Sequence, residues 1–297
     1  MSRRSGATLE TRRTRLALVL LAPCLALLVG LAIYPTFYSL RLSFTSHLIY
    51  RPDLTDFVGF DNYRYLFEDG YFWQSVRITL LFTTTAVLTQ CLLGFALALA
   101  LDRELRYGGM MRTLLMIPLL ISPVAVALTF RFLYAPSYGV INFLLGSAGL
   151  PAQDWIVNPR WALVAVVVAD TWQWTPFIAV VLVAGLRSIP TEILEAADVD
   201  GLPYFAKLRW IILPLIMPVA TVVILIRLID SIRNFDLIYV LTRGGPGTST
   251  NILSIFSYIR GFVDGDMGLA AAAAWCTVLL INLLVLTLLA RLSRRVD

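Results

Sequence analysis

The chain has 297 residues, of which 59% are hydrophobic and 14% charged, with a formal net charge of +5. Soluble domains carry about a quarter charged residues, so this composition excludes an ordinary soluble domain, and bases scattered through apolar sequence exclude a nucleic-acid footprint. Cys24, Cys91 and Cys276 lie in separate apolar stretches and His47 is the single histidine, which leaves no disulfide framework, no metal knuckle and no histidine-based triad.

A bilayer core about 30 Å thick is crossed by roughly 20 helical residues. Six stretches qualify in chain order: about 16–38, 76–101, 111–134, 161–187, 211–231 and 269–290. Backbone groups in lipid must be bonded within their own segment, so these are helices, and the period-two polarity of barrel strands is absent. The expectation is an all-α, polytopic membrane protein with six transmembrane helices over 16–290, flanked by an N-terminal tail (1–15) and a C-terminal tail (291–297).

Orientation follows the bases. Arg3, Arg4, Arg12, Arg13 and Arg15, then Arg103, Arg106 and Arg112, then Arg187, Lys207 and Arg209, then Arg291, Arg294 and Arg295 fall on one side. That side is the cytoplasm, with both termini. The N-terminus carries two decoys: "TRRTRLALVL" is like a twin-arginine signal and "LAPC" like a lipoprotein box. The apolar run continues to Tyr34, which favours a retained first span. The loops 39–75 and 232–268 fall outside, where Asp53, Asp56, Asp61, Tyr63 and Trp73 are candidates to meet a solute-binding protein or form a solvated cap.

Between the fourth and fifth apolar stretches lies a polar island, "EAADVDGLPYFAKLRWIILPLIMP" (195–218). Pro190 can start a helix, with Thr191 or Ser188 as capping candidates. Gly201 permits a positive φ and a sharp turn. Tyr204, Phe205 and Leu208 form a second short amphipathic piece, and Pro214 and Pro218 mark the start of the next span. By physics alone this is a short helix–turn–helix at the inner membrane surface, equally consistent with an ordinary interfacial helix.

The spacing adds a resemblance. Glu195-Ala196-Ala197, then Gly201, then Ile211-x-Leu213-Pro214 resembles the "EAA" loop of ABC importer membrane subunits. "FDLIYVLTRGGPGTST" (235–250) is similar to the signature of the sugar-importing branch, the maltose and glycerol-phosphate permeases, with Arg243 in place of a usual glycine. "VGFDNYRYLF" (58–67), "FLYAPSYGVIN" (132–142) and "WQWTPFIAVVLVAGLRSIP" (172–190) resemble it too. Ile78 and Leu208 depart from the branch pattern.

The resemblance implies the type I importer permease fold in a bacterial or archaeal cytoplasmic membrane. It implies a coupling loop at 188–214 seated in an ATP-binding subunit, with Glu195, Ala196, Ala197, Asp198, Gly201, Phe205 and Leu208 as coupling residues. The implied partners are a second homologous permease, two ATP-binding subunits and an extracytoplasmic binding protein, besides the lipid bilayer and a sugar. A di- or oligosaccharide comes first; polyols and glycerol phosphate conjugates are alternatives. The chain has no GxxxxGK[ST] loop or metal motif, so it is expected to be no enzyme and to bind no cofactor itself; ATP and Mg belong on the partner ATPase.

Two clusters could face the solute. In "LIRLIDSIRNFD", Arg227, Asp230 and Asn234 share a helix face, with Arg233 and Asp236 as a neighbouring pair. In "DTWQWTPF", Asp170, Trp172, Gln173 and Trp174 lie mid-span before Pro176. Ionisable groups in spans need a pairing or a pathway, and both stay open: buried ion pair and aromatic packing, or a rail for hydroxyl-rich solutes. Arg131 reads as a helix-end anchor, Pro118 and Pro123 as possible bends in the third span, and Gln90 and Asn282 as amides that bridge helices. A stand-alone secondary transporter would need inverted repeats and a broken-helix ion site, neither evident in the sequence.

Overall fold

The computed structural model describes residues 4–102 and 108–293. Arg3, Arg103, Arg106, Arg294 and Arg295 lie outside the described residues. Among these residues the secondary structure is helical, with isolated bridges in place of strands. Helix α1 (Arg4–Leu28) continues through a widened π turn (Val29–Ile33) into α2 (Tyr34–Leu42). Then come α3 (Asp61–Glu68), α4 (Gly70–Asp102), α5 (Gly108–Leu120), α6 (Pro123–Leu133) and α7 (Val140–Ser147). They are followed by α8 (Pro159–Arg187), α9 (Thr191–Val199), α10 (Tyr204–Lys207), α11 (Leu213–Ile232), α12 (Asp236–Thr242), α13 (Leu253–Tyr258) and α14 (Met267–Ser293).

Five helical stretches are long and apolar enough to cross a membrane: Arg13–Leu42, Gly70–Asp102, Pro159–Arg187, Tyr204–Ile232 and Met267–Ala290. The expected third span is two helices, α5 and α6, bent by 93°; counted as one, they make six. The break has a local cause. Pro123 opens α6 and confines Ser122 to extended backbone (φ −63°, ψ 145°), while the Ser122 hydroxyl accepts from Ala125 N. A residue before proline avoids the helical region, and a Ser-Pro pair makes an N-cap followed by the first helical position.

The chain forms two compact units. One holds residues up to Leu66 together with Ile259–Trp275; the other holds Phe67–Tyr258 and the chain from Cys276 on. In the first unit, Asn62 donates to the Ser43 and Thr45 carbonyls, and Ile49 N reaches Gly265 O. His47 Nδ1 meets the Thr55 hydroxyl at 2.8 Å.

In the second unit α4 packs along α8, and α11 packs against both. A Cβ on Gly94 would lie 2.7 Å from Ile178 Cγ2, so the absence of a side chain sets that approach. The core at one end of these helices gathers Leu182, Leu186, Ile189, Ile212 and Ile216. Arg187 Nε lies 3.6 Å from Asp102, a half-exposed ion pair between the ends of α8 and α4.

Candidate functional site: a polar cavity and an outward-facing cap

The polar island closes the end of the bundle between α8 and α11. Its first helix is α9, with Pro190 at the N-cap and no side-chain cap. The expected caps are therefore absent: Thr191 is already helical, and Ser188 ends α8, its hydroxyl bonding Gly185 O. The turn is as expected. Gly201 has φ +69°, Leu202 N bonds Ala197 O and Gly201 N bonds Asp198 O, the two reverse bonds of a glycine-terminated helix. Lys207 pairs with Asp198 across the turn.

The second piece is not separate. α10 runs through a π turn (Leu208–Ile212) into α11, so the fifth span begins at Tyr204 rather than 211. The widened turn lies just before Pro214, whose ring would crowd a regular helical carbonyl one turn back. The same arrangement precedes Pro35.

The seven coupling candidates divide by direction. Glu195, Ala196, Asp198, Gly201 and Phe205 are exposed, Phe205 at 80%. Ala197 is 4% exposed and faces its own chain, and Leu208 packs with Leu194 on the bundle core. Ala197, Leu194 and Leu208 thus face the bundle and anchor the cap, while the other five candidates face away from it.

The polar groups of the spans converge deeper in the bundle. Asp170 of α8 is fully buried and accepts three bonds: Arg227 Nη2 at 3.0 Å, Gln90 Nε2 at 2.7 Å and Asn234 Nδ2 at 2.8 Å. Arg227, 1% exposed, also donates Nε to Gln90 Oε1 at 2.9 Å, and its guanidinium lies 4.3 Å from the centroid of the Trp174 ring. The network ties α4, α8 and α11 together and leaves both charges paired, which is what burial of charge demands. Gln90 was undervalued in the sequence as a simple bridging amide. Asn282, also expected to bridge helices, instead donates its Nδ2 to Val278 O within its own helix.

This network forms one wall of a polar cavity of about 260 Å³. Gln173, Trp174 and Asn234 line it, with Asp230, Arg233 and Asp236 toward its opening. Asp230 keeps a long contact to Arg227, 3.9 Å. Among the described residues no ion pair joins Arg233 to Asp236; both are exposed on the cavity rim. Gln173 donates Nε2 to Ile121 O at 2.9 Å, satisfying a carbonyl freed at the α5–α6 break. Its Oε1 is buried without a partner.

Trp172 is not part of this group. It lies edge-on to Phe130 and lines a separate, apolar cavity of about 700 Å³ with Leu93, Pro118 and Val168. Neighbouring residues on a helix point about 100° apart, so Gln173 and Trp174 reach the polar cavity while Trp172 does not. Arg131 is exposed in the last turn of α6, as a helix-end anchor would be.

The glycine-rich segment is a turn. Arg243 (φ 54°), Gly244 (φ 83°) and Gly247 (φ 58°) are left-handed, and the Thr242 and Thr250 hydroxyls meet at 2.7 Å across it.

Residues 90–297 match the family of binding-protein-dependent transport system inner membrane components. The chain belongs to this family. It is thus a multi-pass permease subunit of an ABC importer, and ATP hydrolysis resides in a separate subunit. It is 34% identical to the trehalose/maltose transport system permease protein MalF of Thermococcus litoralis over 92% of both chains. It is 36% identical to the trehalose transport system permease protein SugA of Mycobacterium tuberculosis, over 91% of this chain and 85% of that one. Among solved structures, it is similar to a bacterial ABC transporter that imports the acidic polysaccharide alginate, with a TM-score of 0.85 and 24% identity over 97% and 99% of the chains. That likeness gives the permease fold. It is also similar to a bacterial alginate ABC transporter in complex with alginate pentasaccharide-bound periplasmic protein, with a TM-score of 0.83 and 24% identity over 97% and 96% of the chains.

Proposed function

We propose that this permease moves a di- or oligosaccharide, handed over by an extracytoplasmic binding protein, through the cavity bounded by Gln173, Trp174, Asp230 and Asn234. The relatives' sugar names support the substrate class, and the cavity's mix of amide, carboxylate, guanidinium and indole suits a ring with hydroxyls on its edge and carbon on its faces. Polyols and glycerol phosphate conjugates are the second choice; a relative in Agrobacterium fabrum is named for sulfoquinovosyl glycerol.

The cap at 188–214 carries the coupling. Its anchored inner face and its exposed Glu195, Ala196 and Phe205 are the observation on which this reading rests. A groove in an ATP-binding subunit receives that outer face, and ATP and Mg bind there, not on this chain. Closure of two such subunits moves the cap and, through α8 and α11, switches the bundle between outward and inward access. A second, homologous permease completes the assembly; the first span, which buries none of its apolar window within this chain, gives it a surface to pack on. Both termini, with the tails 1–15 and 291–297, then lie in the cytoplasm.

The test is cysteine cross-linking of Phe205→Cys to an ATP-binding subunit in membrane vesicles. A cross-link that changes yield with ATP supports the reading. Labelling by lipid-phase or aqueous reagents in the assembled complex, with no protein cross-link, refutes it.

A further inference from the structure

The cavity carries a charge preference. Arg227 lines it, but its charge is already spent on the fully buried Asp170 at 3.0 Å. What remains toward the opening is Arg233 against two carboxylates, Asp230 and Asp236. The neutral groups add acceptors. Gln173, 2% exposed, uses its amide nitrogen on Ile121 O and leaves its Oε1 buried and unpartnered. Asn234 likewise commits one N–H of its Nδ2 to Asp170, which leaves its second N–H and its carbonyl oxygen. Pro123, also in the wall, has no N–H to give, and Ala125 N at the start of α6 is taken by the Ser122 hydroxyl.

Besides that Asn234 N–H, the donors that remain are the Arg233 guanidinium and the Trp174 indole N–H, and with Arg227 neutralised by Asp170 the charge left by Arg233 against Asp230 and Asp236 is negative. Sugar hydroxyls donate as readily as they accept, and a buried acceptor such as Gln173 Oε1 gains most from a hydroxyl that reaches it. A uronate, sulfonate or phosphate brings negative charge past two carboxylates and a single guanidinium, and like charges at a recognition site disfavour the wrong ligand. At about 260 Å³ the cavity is smaller than a typical drug-sized site, which suits one ring at a time.

Resting on the pathway reading above, we infer that this permease accepts uncharged, hydroxyl-rich sugar rings and discriminates against anionic ones, with Asp230, Asp236 and the Gln173 carbonyl as the discriminating groups. The alginate importer, whose cargo is an acidic polysaccharide, would differ from this chain at such a filter.

The test uses the complete importer assembly in nanodiscs without its binding protein, so that the receptor's own selectivity does not enter. Saturation-transfer NMR reads weak contact with a panel of neutral disaccharides (trehalose, maltose, sucrose) and acidic ones (galacturonate and glucuronate dimers). The expected result is contact with at least one neutral sugar and about tenfold or more weaker contact with every acidic one. In Asp230→Asn/Asp236→Asn that ratio falls at least threefold, and Gln173→Leu loses the neutral contact. Asp236 is exposed and the Asp230 side chain is 42% exposed, so both variants are expected to assemble. Equal or stronger contact with an acidic dimer in the unaltered complex overturns the charge filter and leaves the pathway standing. No contact with any sugar, together with unchanged uptake in all three substituted forms, overturns both.

Discussion

Asp170 and Arg227, 57 residues apart in sequence, meet at 3.0 Å inside the bundle with both side chains withdrawn from solvent. Each is the other's reason for being there. Removing one leaves a buried, uncompensated charge at a cost of about 3–5 kcal/mol. Asp170→Ala and Arg227→Ala are each expected to abolish recovery of a monodisperse complex by fluorescence-detected size exclusion. The double variant Asp170→Leu/Arg227→Met is expected to recover much of it, since apolar replacement of a whole buried pair is close to neutral.

Gln90 supplies both a donor to Asp170 and an acceptor to Arg227. Gln90→Leu keeps the volume and strands one bond on each partner. A loss of about 1–3 kcal/mol is expected, visible as a lower thermal midpoint of the purified complex while the helices still insert.

Gly94 faces Ile178 with no room for a side chain. Gly94→Val should separate α4 from α8 and destabilise by several kcal/mol, about the scale of overpacking. Ile178→Ala in the same chain should restore part of the midpoint; no restoration would place the strain elsewhere.

The cap offers two contrasting changes. A Cβ on Gly201 would touch nothing within 4 Å, yet its φ is +69°. Gly201→Val thus costs backbone energy alone, about 1–2 kcal/mol, paid in the shape of the turn. Glu195→Lys alters no packing, since Glu195 is exposed. Both are expected to cut ATP-driven uptake at least about tenfold while the permease still inserts; Glu195→Lys should also keep an unaltered thermal midpoint. Normal uptake in both would remove the cap from the coupling path.

Arg243 occupies a left-handed position (φ 54°) next to two glycines. A non-glycine residue there costs about 1–2 kcal/mol. Arg243→Gly is expected to leave the thermal midpoint unchanged or to raise it. A fall of several degrees would mean that the Arg243 side chain makes a compensating contact.

The apolar stretches and the polar island were legible in sequence because hydropathy and the 3.6-residue period are local properties. The Ser122-Pro123 break was half legible: two prolines suggested a bend, while its 93° extent came only with the structure. The helical continuity of 204–232 was not, because Pro214 reads as a boundary until a π turn is seen to accommodate it. Arg227 and Asp230 were paired in sequence by their three-residue spacing, but the stronger partner is Asp170 on another helix. Gln90 was legible only as an amide that bridges helices. A lone amide looks the same whether it bridges helices idly or closes an ion-pair network.

By itself, the sequence determined that this chain lives in a membrane, roughly where its apolar stretches lie, and that the polar island turns at Gly201. These follow from solvation and backbone conformation, which each segment carries alone. Only the tertiary structure decided which way each side chain of the cap faces, that Trp172 lines a different cavity from Gln173 and Trp174, and that Asp170 neutralises Arg227. Those facts depend on which helix surfaces approach one another, and short-range polar contacts exist only once packing has brought distant residues within about 3 Å.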